Sequence, residues 1–389
     1  PPPPPRPSKA TARTTTPSAT TKEPLKGRTE LICTVGDTAV ERKMFPPDGL
    51  CHYLYYTHVF VATIVDDRAI TSHYVRATRI TASFNAFKDA LKRYKKTEGG
   101  LSFDIKAVNG SDFRDAREDL MGLQKNRIWH YGTLNVIHFP DMLDGLLTRT
   151  VGLTQAFKEL QGKDKRKRTV VAISAILYDD DGKWKALKDA IKMATQEKSD
   201  IDTVIIISSF NSWLADMKDC KSVPPNIIDG VSGFPYLAQN MEVVNKENEA
   251  VYGKQDVVVG LSLEMGAMMY TYHSAQNDPL RSYAFKECKT ATLMPLDMAC
   301  SSKEREKVMD VNVAFGEGTK EVVLFFDDSA TLKEKIEYVK ETQLRRNFAW
   351  LYFDVHMTDF RNQCGFKNPF QLIQTLRSEF EIKDKPEPT

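Results

Sequence analysis

At 389 residues with 41% apolar side chains, the chain is long enough for one large domain or two ordinary ones, and apolar enough for a full core. Its 54 Lys and Arg against 52 Asp and Glu leave a net charge of +2, which argues against a dedicated nucleic-acid binder because no face need be strongly cationic to account for it. No apolar run approaches the roughly 18 residues of a membrane helix, so no membrane span is expected.

Residues 1–28 begin with Pro1 to Pro5 and continue through Thr11, Thr14, Thr15, Thr16, Pro17, Ser18, Thr20 and Thr21, with almost no bulky apolar side chain. Burial cannot offset the ordering entropy of such a segment, which is expected to be disordered: a mucin-like stalk carrying O-linked sugars, or an inert linker. No charged-then-apolar leader precedes it, which fits a processed form.

From Glu30 onward, short β-branched runs alternate with longer amphipathic segments, the pattern of repeated βα units around a parallel sheet. Strands are expected near Leu31–Val35, Tyr53–Val65, Phe103–Val108, Leu134–Phe139, Val170–Tyr178, Thr203–Ser208, Val257–Leu263 and Phe348–Phe353. Eight strands with helices between them predict an α/β chain closed into a (β/α)8 barrel, and the helical spacing of apolar residues in Phe84–Tyr94 and Ala186–Ala194 fits its outer ring. The interval between the seventh and eighth strands is too long for one crossover, so residues from about 264 to 325 must hold something extra.

Two charged runs punctuate this pattern. Lys163, Lys165, Arg166, Lys167 and Arg168 precede the fifth strand, on the face opposite a barrel's mouth; a solvated loop is the simpler reading, binding of sulfated glycans or acidic surfaces the other. Asp179-Asp180-Asp181 follow that strand without the spaced oxygen ligands of a calcium loop, so no metal is expected. The cysteines, Cys33, Cys51, Cys220, Cys288, Cys300 and Cys364, include no Cys-x-x-Cys pair and read as disulfides of an oxidising compartment, with their connectivity left open by sequence alone.

Toward the end, Phe326-Asp327-Asp328-Ser329 opens a helical run through Tyr338-Val339-Lys340 to Leu344, followed by Trp350 and Asp359-Phe360-Arg361-Asn362-Gln363-Cys364-Gly365. Upstream lie Thr292-Leu293, Cys300 and Gly316-Glu317-Gly318-Thr319. This stretch resembles the last helix and strand of glycoside hydrolase family 18, the chitinases and chitinase-like proteins. The resemblance implies a barrel over residues 29–383 with a short tail at 384–389. It also implies a small α+β insertion at about 264–325, and disulfides Cys33–Cys51 and Cys300–Cys364. Cys220 and Cys288 then pair as the remainder.

In that family the fourth strand ends in Asp-Gly-x-Asp-x-Asp-x-Glu-Tyr-Pro, where the Glu protonates the leaving oxygen and the middle Asp steadies the substrate's own acetamido group. Here the corresponding stretch reads Tyr131-Gly132-Thr133-Leu134-Asn135-Val136-Ile137-His138-Phe139-Pro140. The three acids become Tyr131, Leu134 and Val136, and the catalytic Glu becomes His138. Imidazolium can donate a proton, but Leu134 and Val136 offer no charge to stabilise a cationic intermediate, and desolvation would empty the acid form. The strand-three Ser-x-Gly-Gly falls on Ala107-Val108-Asn109-Gly110, and the strand-six Met-x-Tyr-Asp on Ile207-Ser208-Ser209-Phe210, so Ser209 replaces the Tyr that covers the acetamido group. Trp350 falls on the strand-eight Trp, either as an aromatic floor for a sugar ring or as a core residue, with Tyr131 and Trp213 as further aromatic candidates. Asn109-Gly110-Ser111 is a glycosylation sequon at the expected rim. The expectation is a secreted, monomeric, catalytically inactive chitinase-like protein that binds an extracellular protein or glycan without a cofactor. A chitooligosaccharide-binding lectin is the alternative, and a residual glycosidase the third reading.

Overall fold

Period-two alternation of branched and aromatic residues gives each strand two apolar edges, one for the barrel interior and one for the surrounding helices. β1 (Thr29–Val35) pairs with β2 (Tyr53–Asp66), on which β3 (Ala69–Ala77) folds back; the ring continues through β4 (Glu98–Phe103), β5 (Ile128–His138), β6 (Thr169–Ala175), β7 (Thr203–Ile206) and β8 (Val258–Glu264). An antiparallel insertion of β9 (Ala267–Thr271), β10 (Thr290–Met294), β11 (Arg305–Val308), β12 (Val311–Phe315) and β13 (Val322–Phe326) follows. β14 (Phe348–Phe353) then closes the ring against both β8 and β1. Eight parallel strands therefore form the barrel. The structure, a computed structural model, describes residues 29–382 apart from 67–68, 79–80, 165, 176–180, 211–219, 231–235, 245–256, 275–277, 303, 317–318, 342–347, 354–362 and 381. The Pro/Thr-rich segment and the C-terminal tail lie outside the described residues.

The helices are α1 (Thr81–Arg93), α2 (Gly110–Asp115), α3 (Arg117–Gln124), α4 (Pro140–Gln161), α5 (Asp181–Ala194), α6 (Leu237–Val244), α7 (Leu296–Cys300), α8 (Ser329–Glu341) and α9 (Gln371–Glu379). Leu31, Tyr56, Phe103, Ile173 and Leu261 face them in one apolar layer, while Ile32, Tyr55, Leu134, Ala172 and Leu351 fill the interior. The third ring strand is Glu98–Phe103, not Phe103–Val108, and Ala107–Asn109 lie in the turn that leads to α2, which opens at Gly110. A Cβ on Gly100 would stand 2.6 Å from the Tyr55 ring, so the strand needs glycine where the aromatic crosses it. β5 likewise begins at Ile128, well before Leu134.

The hairpin of β2 and β3 was not legible as two strands. Beyond Val59, which pairs with both β4 and β3, β2 leaves the ring and continues antiparallel to β3 through exposed Ile64 and Val65. The insertion sheet runs in the order β10-β9-β13-β12-β11, and Met268, Tyr270, Val313, Val323 and Phe325 on one of its faces join the same apolar cluster as the barrel interior. At its exit Asp328 caps α8, its Oδ1 accepting from the backbone N–H groups of Ala330 at 2.9 Å and Thr331 at 3.0 Å. Asp327 is buried and takes Lys335 Nζ at 2.7 Å, Thr331 Oγ1 at 2.7 Å and Asn226 Nδ2 at 2.8 Å. Disulfides join Cys33 to Cys51, Cys220 to Cys288 and Cys300 to Cys364.

At the N-terminal end of the barrel, one member of the basic run departs from the solvated-loop reading. Arg168 turns inward to Glu30 Oε1 at 3.3 Å, and its backbone N–H donates to His130 Nδ1 at 2.9 Å. That bond makes Nδ1 an acceptor, while Nε2 lies 3.1 Å from Glu98 Oε2 and 3.0 Å from the Trp129 indole Nε1.

Candidate binding site at the barrel mouth

Residues in register across parallel strands project to the same face, so β5 can be read from its neighbour. Gly132 lies beside Val170, an interior residue, and Thr133 beside Val171, which faces the helices. The register then slips between Thr133 and Val136, and beyond the slip Val136 aligns with Ile173 and His138 with Ala175, both in the outer layer. Ile137 aligns with Ser174 and packs in the interior. A bulge has changed which residues enter the barrel. Leu134 does, as expected; Val136 does not, and His138 sits in the outward row, partly exposed, its Nδ1 accepting the N–H of Phe139 at 2.8 Å. Tyr131 is fully buried among Phe103, Phe113 and Phe157, with ring centroids 5.2 Å from Phe113 and 5.7 Å from Phe157, and is therefore core rather than a sugar platform.

Trp350 is corrected in the same way. It aligns with Leu31 and Leu261, both of the helix-facing layer, and packs edge-on to Phe348 at 5.1 Å and Phe380 at 5.6 Å with no exposed surface. An odd-numbered offset separates it from the interior set Ala349, Leu351 and Phe353, so Phe353 is the aromatic that reaches the inner end of β14. Ser209 is buried with its Oγ 2.7 Å from Ser262 Oγ; Trp213 lies outside the described residues. Asn109 caps α2: its Oδ1 accepts from the N–H groups of Ser111 at 2.8 Å and Asp112 at 3.1 Å, while its own N–H donates to Asp112 Oδ2 at 2.9 Å.

No protein-family model and no curated protein matches this chain in sequence. Solved structures do match. Human YKL-39, a pseudo-chitinase with retained chitooligosaccharide binding properties, superimposes with a TM-score of 0.61 at 13% identity, covering 90% of this chain and 99% of its own. Chitinase ChiA74 from Bacillus thuringiensis gives 0.61 at 10% identity, over 93% of this chain and 71% of its own. The family GH18 chitinase from Cycas revoluta gives 0.58 at 11%, over 90% and 99%. The fold is that of the family 18 chitinases.

Within this chitinase-type barrel, the polar groups near the mouth come from positions that the motif reading passed over. Ser102, on the inner face of β4, accepts the Leu134 N–H at 2.9 Å and stands 2.8 Å from His58 Nδ1. Burial depresses the His58 pKa to about 4, opposed in part by the Asp104 carboxylate. The ring is therefore neutral, and its tautomer sets which of the two partners donates. Beside them Asn135, the residue that the bulge inserts, donates through Nδ2 to Asp104 Oδ1 at 3.1 Å. A serine beside a histidine is nucleophile-like, but Ser102 is fully buried and its oxygen is already an acceptor, so the pair serves packing. Among the described residues, no group of three or more His, Cys, Asp or Glu side chains converges to hold a metal ion.

Proposed function

We propose that this chain is an extracellular, catalytically inactive chitinase-like protein whose barrel serves as a binding scaffold. The observation that carries the reading is the inner face of β5, where Gly132, Leu134 and Ile137 stand, so this strand sends no proton donor or carboxylate into the barrel. Substrate-assisted hydrolysis needs an acid within reach of the leaving oxygen and a negative charge beside the acetamido group. Neither role has a residue on this strand. Three disulfides suit an oxidising compartment, and no described helix is long and apolar enough to cross a membrane.

A second reading is a chitooligosaccharide lectin, favoured by the likeness to human YKL-39. With Trp350 and Tyr131 in the core, stacking would fall to Phe353, which is itself almost fully buried, so binding of a protein partner remains our preference. Turnover of chitooligosaccharides is measured across about pH 4 to 8, the range in which an unperturbed His holds or loses a proton. No product is expected. Hydrolysis abolished by His138→Ala would overturn the inactive reading, and calorimetric binding of a chitin oligomer at micromolar affinity would make the protein a lectin.

A further inference from the structure

The near-neutral total charge conceals an asymmetry that only the strand order reveals. The three segments that enter β4, β5 and β6, residues 92–98, 125–127 and 162–168, hold eleven Lys and Arg against two acids, Glu98 and Asp164. The chain as a whole is only +2, so the rest of the molecule is net acidic. β4, β5 and β6 are consecutive neighbours in the ring. At a strand spacing of about 4.8 Å, their entry loops crowd one sector of the N-terminal face, within about a Debye length of one another.

Side chains confirm that these loops form one surface. Arg127 Nη2 donates to the Lys95 carbonyl at 2.9 Å, and Lys167 Nζ reaches Gln124 Oε1 at 3.5 Å, joining the first loop to the second and the second to the third. Lys92, Arg93, Lys95 and Lys96 are exposed on the first loop. Lys125 on the second and Lys163 and Arg166 on the third are exposed as well. Local acids cancel part of this charge: Asp89 pairs with Lys92, Asp164 with Arg166 and Glu30 with Arg168, Asp48 accepts the backbone N–H groups of Lys95 and Lys96, and Glu98 is turned to buried His130, which still leaves a cationic excess. The C-terminal ends of α1, α3 and α4 also point here, but each contributes only about half a negative charge. Compensation of helix dipoles would need far fewer cations.

We propose that this sector of the N-terminal face binds a sulfated polysaccharide. Its chemistry is that of a polyanion site: many flexible, exposed lysines and arginines spread over a surface, with the nearby aromatics Tyr94 and Trp129 partly buried and the latter covered by Arg127 at 5.7 Å. The choice of ligand rests on the extracellular reading proposed above, which the three disulfides support and under which sulfated glycans are the polyanions at hand. The surface is on the opposite end of the barrel from the mouth, so the proposal is independent of whether the mouth binds a sugar.

The test is retention of the intact protein on immobilised heparin and a titration with a sulfated oligosaccharide at several salt concentrations. Binding at about 0.15 M salt is expected, weakening steeply and log-linearly with salt as counterions are released. A Lys95→Ala, Lys96→Ala, Lys125→Ala, Lys163→Ala variant should lose at least about tenfold in affinity and show a shallower salt slope, with its melting temperature unchanged because all four side chains are exposed. A control with Lys106→Ala and Lys320→Ala, exposed cations elsewhere on the molecule, should bind like the parent. No retention of the parent at that salt, or equal loss in the control, overturns the proposal. Tighter binding to single-stranded RNA than to the sulfated chain, lost in the same fourfold variant, would overturn the assigned ligand.

Discussion

His58 and Trp350 show how much depends on which side of one strand a residue occupies. Because burial lowers the folded-state pKa of His58 to about 4, the neutral ring is favoured in the fold, and its contribution is fully present above the unfolded value of about 6.5. As pH falls from about 6.5 toward 4 the unfolded chain takes up the proton first, and stability should decline by roughly 2 kcal/mol. Urea unfolding followed across that window checks this, and His58→Gln should flatten the slope. Trp350→Ala should cost about 3 to 5 kcal/mol, as removal of a buried aromatic does, while leaving any sugar affinity of the folded protein untouched. Loss of sugar binding without loss of stability would return Trp350 to the mouth. Its residue type was legible in the sequence but its direction was not, since an aromatic at a strand position satisfies a core and a platform equally well.

At the level of elements, the bulge in β5 separates what patterning can and cannot reveal. Gly132, Phe139 and Pro140 mark where the strand lies, and the strand is there. Alternation counted in residues then sends Val136 and His138 inward, whereas the extra residue between Thr133 and Val136 reverses the remainder. His138→Glu should consequently yield no chitinase activity and change stability by less than about 0.5 kcal/mol, because position 138 is partly exposed and faces outward. A thermal melt beside an oligosaccharide assay is sufficient. The capping acid of α8 was easier to read, since Asp followed by a helical run carries its own mechanism. Asp328→Ala should cost about 1 kcal/mol by denaturant unfolding. β4 lies earlier than expected, and Gly100 fits there because a side chain at that position would meet the Tyr55 ring.

Across the whole molecule, the insertion is held to the barrel by covalent and ionic ties together. Cys220–Cys288 closes 68 residues and Cys300–Cys364 closes 64, each about 4 kcal/mol in the chain-entropy account. Lys335, with no exposed surface, lies between Asp327 at 2.7 Å and Asp310 Oδ2 at 3.5 Å, and Asp310 Oδ2 in turn accepts the Ile228 N–H at 2.6 Å. Lys335→Met should destabilise by about 3 to 5 kcal/mol by leaving carboxylates buried without their cation, whereas replacing Asp327 as well should recover part of that loss; a double-mutant cycle in urea measures both. The barrel and the presence of extra structure before its last strand were legible, because eight β runs and one overlong interval are counting arguments. The basic sector was not, because net charge averages over the chain and only the ring order brings three separate loops together. That ring order also sets a schedule for synthesis. β1 pairs on one side with β2, nearby in sequence, but on the other only with β14, where Thr34 meets Tyr352 across 318 residues. At about 5 to 20 residues per second, the first strand emerges with one flank open and waits tens of seconds for its last neighbour, so that seam is the edge of the ring left unpaired longest during synthesis.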